Sequence, residues 1–128
     1  MVLQLNKNKD LDYIYTDEDK VDDRGQFSNP YFKPDFLPDY LLSINYVTHF
    51  STYRKTILDE IGGFRLGFEG SQDHDLVLRF TEKTTQERIA HIPKILYHWR
   101  MHSESTAAGA EVKTYACLLY TSPSPRDA

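Results

Sequence analysis

Apolar positions along the chain change their spacing several times, and each change marks an element. Residues 2–8 read as the last turns of a helix, so the chain is expected to begin in mid-element. Tyr13, Ile14 and Tyr15 then supply the β-branched and aromatic side chains of a short strand over 12–15. Asp22-Asp23-Arg24-Gly25 is a turn signal. Pro30 and Pro34 push the residues before them away from helix, which predicts an irregular extended excursion over 29–35. A short helix is expected over 38–45, a strand over 46–53, and a helix over 54–61 that Gly62 stops with a left-handed cap. Ser71 caps a helix running to about Thr84, followed by strands over 89–92 and 95–102 and a helix of small residues over 106–116. Alternation of this kind indicates α/β layering, and no internal repeat is visible.

The helix over 71–84 carries the most informative position. Leu76, Val77 and Phe80 form one apolar arc, and Asp73 stands at i−3, i−4 and i−7 from them, in the middle of that arc. Asp73 is therefore expected to face inward or into a cleft. In the first turn it meets backbone N–H groups without intrahelical partners, at the end of the helix dipole that favours negative charge. A carboxylate so placed can serve as a general base; it can also cap its own helix or pair with a buried arginine. Asp75 falls on the far side, four residues before Arg79, where a surface ion pair of about 0.3 kcal/mol accounts for it.

In Tyr97-His98-Trp99-Arg100-Met101-His102 the two-residue period of a strand puts His98, Arg100 and His102 on one face and Tyr97, Trp99 and Met101 on the other. Two imidazoles and a guanidinium suit a phosphate or diphosphate, and one imidazole could complete a divalent-metal shell; the alternative for each histidine is structural. No His-Glu-x-x-His segment supports a zinc protease, and no Gly-x-Ser-x-Gly elbow a serine hydrolase. The glycine-rich stretch 67–70 is too short for a phosphate-binding P-loop and lacks its lysine. His49 and His91 have no partner identifiable in the sequence.

Composition narrows the classes. With 128 residues, 40% hydrophobic and 27% charged, the chain is one domain or a piece of one. The net charge of −4, with signs interspersed, gives no basic stripe, which speaks against nucleic acid as a partner. No run of about 18 apolar residues could span a bilayer, and the start is no signal peptide, so membrane contact is expected only through regions outside this chain. Aromatic residues, 13% of the chain, suit flat amphipathic ligands such as sugars and equally a dense core. The single cysteine, Cys117, rules out an internal disulfide. It opens a stretch, 117–127, that resembles the conceptual translation of a transposase sequencing adapter, as found at the ends of assembled environmental reads. Residues 117–128 are accordingly taken as a non-native tail; the other reading is a Ser/Pro linker.

Five segments together resemble a family-2 glycosyltransferase of the kind that assembles bacterial surface polysaccharides such as rhamnose-containing chains and O-antigens. They are Tyr13-Ile14-Tyr15-Thr16-Asp17-Glu18-Asp19-Lys20, Pro30-Tyr31-Phe32-Lys33-Pro34-Asp35, Gly62-Gly63-Phe64, Gly70-Ser71-Gln72-Asp73-His74-Asp75-Leu76, and His91-Ile92-Pro93 through His98-Trp99-Arg100. The likeness covers residues 3–116. It implies a partial GT-A fold, a mixed sheet with flanking helices, in which residues 1–116 are the acceptor-side part and the donor-binding half is missing.

It further implies inverting transfer from a nucleotide-sugar donor to a saccharide or lipid-linked acceptor, with Mg or Mn in the full-length protein. The setting would be cytoplasmic, at the inner face of the membrane. Asp73 of the Gln72-Asp73 pair inherits the general-base role, and Gly70, Gln72, Trp99 and Arg100 the acceptor or donor contacts. His98 or His102 becomes a candidate third metal ligand beside the diphosphate, and 67–70 a lid over the acceptor. Asp17 and Asp19 either touch metal or nucleotide or form a solvated turn countered by Lys20, the family's Asp-x-Asp motif being expected upstream of Met1. On this reading the isolated chain is inactive. The alternatives are a non-catalytic carbohydrate-binding or interaction module using Tyr31, Phe32 and Trp99, and an open reading frame cut at both ends of an assembled read.

Overall fold

Every residue from Tyr13 to Asp19 is buried, which makes β1 (Tyr13–Val21) the central strand of the molecule. The computed structural model describes residues 1–102; the helix expected over 106–116 and the tail 117–128 lie outside them. Around β1 the chain runs α1 (Val2–Lys7), β2 (Phe27–Tyr31), α2 (Pro38–Ser43), β3 (Ser51–Tyr53), α3 (Lys55–Ile61), α4 (Gln72–Thr81), a 3-10 turn (Gln86–Arg88) and β4 (Ile89–Arg100). β4 pairs in parallel with the whole of β1. On the other edge, β3 pairs antiparallel with its first residues and β2 with its last. The result is an α/β fold with a mixed four-stranded sheet and flanking helices.

Several expected boundaries move for identifiable reasons. The strands expected over 89–92 and 95–102 are one strand, β4, whose register steps from Thr16↔Ile92 to Asp17↔Ile95 and so leaves Pro93 and Lys94 without partners on β1. Proline has no N–H to give a ladder, and the irregularity absorbs it. The excursion over 29–35 starts as edge strand β2, where Asn29 takes φ 49°, a left-handed conformation that asparagine tolerates better than most side chains. The strand expected over 46–53 contracts to β3, and 44–50 is irregular. α3 ends at Gly62 with φ 82°, and the N–H groups of Gly62 and Gly63 close onto Asp59 and Leu58, the left-handed cap expected there.

Helices α2, α3 and α4 cover one face of the sheet. Tyr13 and Tyr15 project from β1 into a cluster with Leu41 of α2, Tyr46, Val47, and Val77, Leu78 and Phe80 of α4, with Ile57, Leu58 and Ile61 of α3 packed against it. The Tyr13 ring sits 4.9 Å from that of Tyr53 and 6.0 Å from that of Phe80. Buried His74 ties α4 to α2 through Nε2, 2.7 Å from the Leu41 carbonyl, so that nitrogen carries the proton.

Three distant segments meet at Asp12. Its carboxylate accepts from Arg54 Nε at 2.6 Å, Arg88 Nε at 2.7 Å and Thr84 Oγ1 at 2.6 Å, and its backbone bonds to residues 54 and 88. Burial pushes this carboxyl up, but those hydrogen bonds and the Arg88 charge outweigh it and hold it at about 2. Glu18 also rests at about 2: burial raises it, and His49, Thr48 and Lys33 bring it down further than burial lifts it. Both values lie below those of the unfolded chain, so the folded state binds fewer protons between about pH 2 and 4.5. The stability they supply is full above that window and is lost as pH falls through about 2. The thermal midpoint is therefore expected to climb with pH across this window, and Asp12→Asn to flatten the climb and lower the plateau at pH 6. An unchanged slope in melting curves from pH 2 to 6 would remove Asp12 from this role.

Candidate functional site

At the N-terminal end of α4 a cleft of about 230 Å³ opens between His49, Tyr53, Phe64, Asp73, Leu76 and Tyr97. Asp73, two residues past the N-cap position of Ser71, is half-buried on this wall, and its Oδ1 accepts the His74 N–H at 2.9 Å. Leu76, one turn on, is buried in the same wall. Burial first, and the nearby Asp73 carboxylate with it, push the Tyr53 hydroxyl up to about 12, the hydrogen bond from Tyr13 opposing them. Tyr53 thus faces the cleft as a neutral phenol.

The opposite wall is aromatic and is held from behind by charge. The His49 ring lies parallel to that of Tyr97, 4.9 Å between centroids at 16°, and is flanked by Trp99 at 5.0 Å. Its Nδ1 is 3.1 Å from Glu18 Oε2. Glu18 is 5% exposed and also receives Thr48 Oγ1 at 2.7 Å and Lys33 Nζ at 3.1 Å. The Lys33 ammonium, wholly buried, bonds the Val47 carbonyl at 2.9 Å and that of His49, which fixes the irregular stretch 44–50. Nothing local in the sequence marked this group. Glu18 and Lys33 stand 31 and 16 positions from His49 and find it only through the sheet.

The acidic run on β1 is no solvated turn. Asp17, Glu18 and Asp19 are 2%, 5% and 8% exposed, and each has its own partner from far along the chain. Asp17 Oδ1 accepts the Lys33 backbone N–H at 2.9 Å and contacts His91 Nε2 at 2.7 Å. His91, which has no partner readable in the sequence, is gripped between Asp17 and Asp35 and stacks on Tyr15 at 4.8 Å. Asp19 binds His98 Nδ1. Burial of an acid run on a central strand is tolerable only because these partners arrive together.

Asp75 also departs from expectation. Its ion pair with Arg79, 3.0 Å at i,i+4, is present, but Asp75 is 2% exposed. The face of α4 that periodicity assigns to solvent is covered by Arg65, whose Nε and Nη2 reach the two carboxylate oxygens at 3.0 and 2.6 Å. Arg79 in turn caps α3 through the Ile61 and Gly63 carbonyls at 3.0 and 2.6 Å. The glycine-rich loop that leads from α3 to α4, with Gly67 and Gly70 at φ 93° and 85°, is thereby tethered at Arg65, next to Phe64 of the cleft wall.

Other candidates stand apart from the cleft. Because neighbours on a strand face opposite ways, Tyr97 lines the cleft while His98 turns to Asp19 and to the Phe27 ring at 4.3 Å. Exposed Arg100 shares the His98 register, exposed His102 lies beyond the end of β4 at Arg100, and neither lines the cleft. Trp99 reaches it only by way of His49, and Gln72 and Gly70 lie at the start of α4, the former exposed. No three His, Cys, Asp or Glu side chains converge to hold a metal among the described residues. Asp17, Asp19 and His98 are already bound to their protein partners, so the described residues do not fit a divalent cation.

Fold and cleft together define an α/β domain that presents one acid, Asp73, against an aromatic wall. No protein-family model matches the chain. Over 116 residues it is 41% identical to uncharacterized protein y4gI of Sinorhizobium fredii, 91% of this chain and 13% of that protein. Over 110 residues it is 46% identical to O-antigen biosynthesis protein RfbC of Myxococcus xanthus, 84% of this chain and 8% of that protein. The chain thus spans about a tenth of the length of these curated relatives. No helix among the described residues is long and apolar enough to cross a membrane.

Proposed function

We propose that the cleft receives a saccharide and that the chain is the acceptor-side part, residues 1–116, of an inverting glycosyltransferase of GT-A type working in cell-surface polysaccharide synthesis. The observation that carries this reading is the half-buried Asp73 carboxylate on one wall of a cleft whose facing wall is aromatic. The similarity to a protein of O-antigen biosynthesis supports the substrate class. An acceptor hydroxyl hydrogen-bonded to Asp73 gives up its proton to that carboxylate as its oxygen attacks the anomeric carbon of the donor sugar. The bond to the nucleoside diphosphate breaks on the opposite side, and the configuration inverts.

The volume, about 230 Å³, lies below the ~300–1,000 Å³ of pockets for drug-sized ligands and suits a single sugar ring. Mg or Mn would neutralise the diphosphate leaving group in such a transfer. Since the described residues do not form its site, we assign it, with the donor half, to the rest of the longer protein. The setting is the cytoplasmic side of the membrane, where nucleotide sugars meet lipid-linked acceptors.

The longer protein, given a panel of nucleotide sugars and saccharide or lipid-linked acceptors with Mg or Mn, is expected to form a glycoside whose anomeric configuration, read by NMR, is opposite to the donor's. Retained configuration would overturn inversion, and absence of transfer across the panel would overturn the enzyme reading. The aromatic wall also suits binding without transfer; saccharide quenching of Trp99 fluorescence combined with no transfer would favour that second reading.

A further inference from the structure

The orientation of His49 in the cleft is fixed by a hydrogen bond and by ring contacts together. The Lys33 ammonium at 3.1 Å and the Thr48 hydroxyl at 2.7 Å make Glu18 an ionised acceptor, and an ionised carboxylate has no proton to offer. The contact of His49 Nδ1 with Glu18 Oε2 at 3.1 Å therefore requires the proton to reside on Nδ1. Tyr97, stacked at 16°, and Trp99 hold the ring plane, and a half-turn of the imidazole within that plane would replace Nδ1 by carbon and break the hydrogen bond. That leaves Nε2, which among the described residues takes part in no hydrogen bond, on a ring 31% exposed that lines the same cleft as Asp73.

We propose that His49 is a second ligand-contacting residue of this cleft, accepting a hydroxyl of the bound sugar ring at Nε2 while Glu18 holds its Nδ1. The proposal rests on the saccharide reading of the cleft. It gives that reading a polar contact opposite Asp73, and it gives the charge cluster of Glu18, Thr48 and Lys33 a purpose: fixing which nitrogen faces the ligand. Glu18 is then a positioning residue, acting on the ligand only through the imidazole.

The test uses the full chain with 15N-labelled histidine and, as probes, the methyl glycosides of glucose, galactose, mannose and rhamnose. At a pH where the ring is neutral, His49 is expected to show the Nδ1–H tautomer, and at least one glycoside to shift its Nε2 resonance. His49→Phe, which keeps the aromatic stack and removes both nitrogens, should weaken binding of that glycoside about ten-fold or more. Glu18→Gln should redistribute the tautomers and weaken binding by a smaller factor.

An Nε2–H tautomer, a glycoside bound equally well by His49→Phe, or no glycoside moving the Nε2 resonance would each overturn the proposal. Should His49→Phe fail to fold by circular dichroism, His49→Leu, which also removes both nitrogens, replaces it, and the tautomer and shift measurements on the unaltered chain test the contact independently. Failure here and failure of the transferase reading are distinguishable. Transfer by the longer protein that depends on Asp73 but keeps its acceptor KM in His49→Phe defeats the His49 contact only. Glycoside binding through His49 without transfer from any nucleotide sugar defeats the transferase only.

Discussion

Asp73→Asn in the longer protein is expected to lower kcat by about 10²–10⁴-fold while leaving the affinity for the nucleotide-sugar donor nearly unchanged. Asparagine has the size of aspartate and keeps a side-chain oxygen to accept the His74 N–H, now bonded at 2.9 Å, so the start of α4 has no reason to rearrange. What it loses is the capacity to accept the acceptor's proton. Because the side chain is half-buried at the edge of the cleft, the thermal midpoint should move little, which separates chemical loss from unfolding. Initial rates against acceptor, together with donor binding by calorimetry, provide the measurement. Turnover retained within a few-fold would remove Asp73 from the base role.

Asp75→Ala is expected to cost about 3 kcal/mol, roughly ten times the surface pair that periodicity suggests for this position. The substitution strips a 2%-exposed carboxylate from two guanidiniums at once. Arg79, with 13% of its side chain exposed, is left with only the carbonyls at the end of α3; Arg65, at 46%, recovers part of its loss in water, which keeps the figure below the upper end for buried pairs. For a domain of this size that corresponds to a fall of more than about 10 °C in thermal midpoint. Asp59→Ala, which breaks the exposed Lys55–Asp59 pair, serves as the control and should change stability by less than about 0.5 kcal/mol. Equal effects of the two substitutions would show that the Arg65–Asp75–Arg79 cluster is not the clamp its geometry describes. Hydrogen exchange should also rise across 64–70, because Arg65 is the tether of that loop.

What could be read from the sequence divides along the distance over which each signal acts. The α3 stop at Gly62, the α4 start at Ser71 and the buried arc of Leu76, Val77 and Phe80 depend on neighbours within a turn or two, and they are found where the pattern puts them. The placement of Asp73 beside Leu76 follows from the same periodicity. Tertiary partners decided the rest. Asp17, Glu18 and Asp19 carry the composition of a solvated turn, and only Lys33, His49, His91 and His98 turn them into the interior of a strand. Asp75 has its Arg79 partner in sequence, but no local pattern shows that a loop arginine would close over it. His49 gives no signal at all until Glu18 and the Tyr97 ring are brought to it.

The parallel pairing of β1 with β4 also dictates the order in which this domain comes into being. Asp12 and Arg88 are 76 positions apart, and Asp17 and His91 are 74 apart, so the central strand waits for nearly the whole of the described chain before its parallel ladder and the last of its counter-charges exist. Long-range parallel pairing of this kind folds slowly, because the loop must close before any contact repays it. At about 5–20 residues per second on the ribosome, that separation alone amounts to roughly 4 to 15 seconds in which Asp17 and Asp19 lack their histidine partners. Tyr97, which completes the aromatic wall, is among the last of the described residues to emerge. The cleft is thus a late product of assembly, and any nascent chain halted before β4 carries Asp73 without a site.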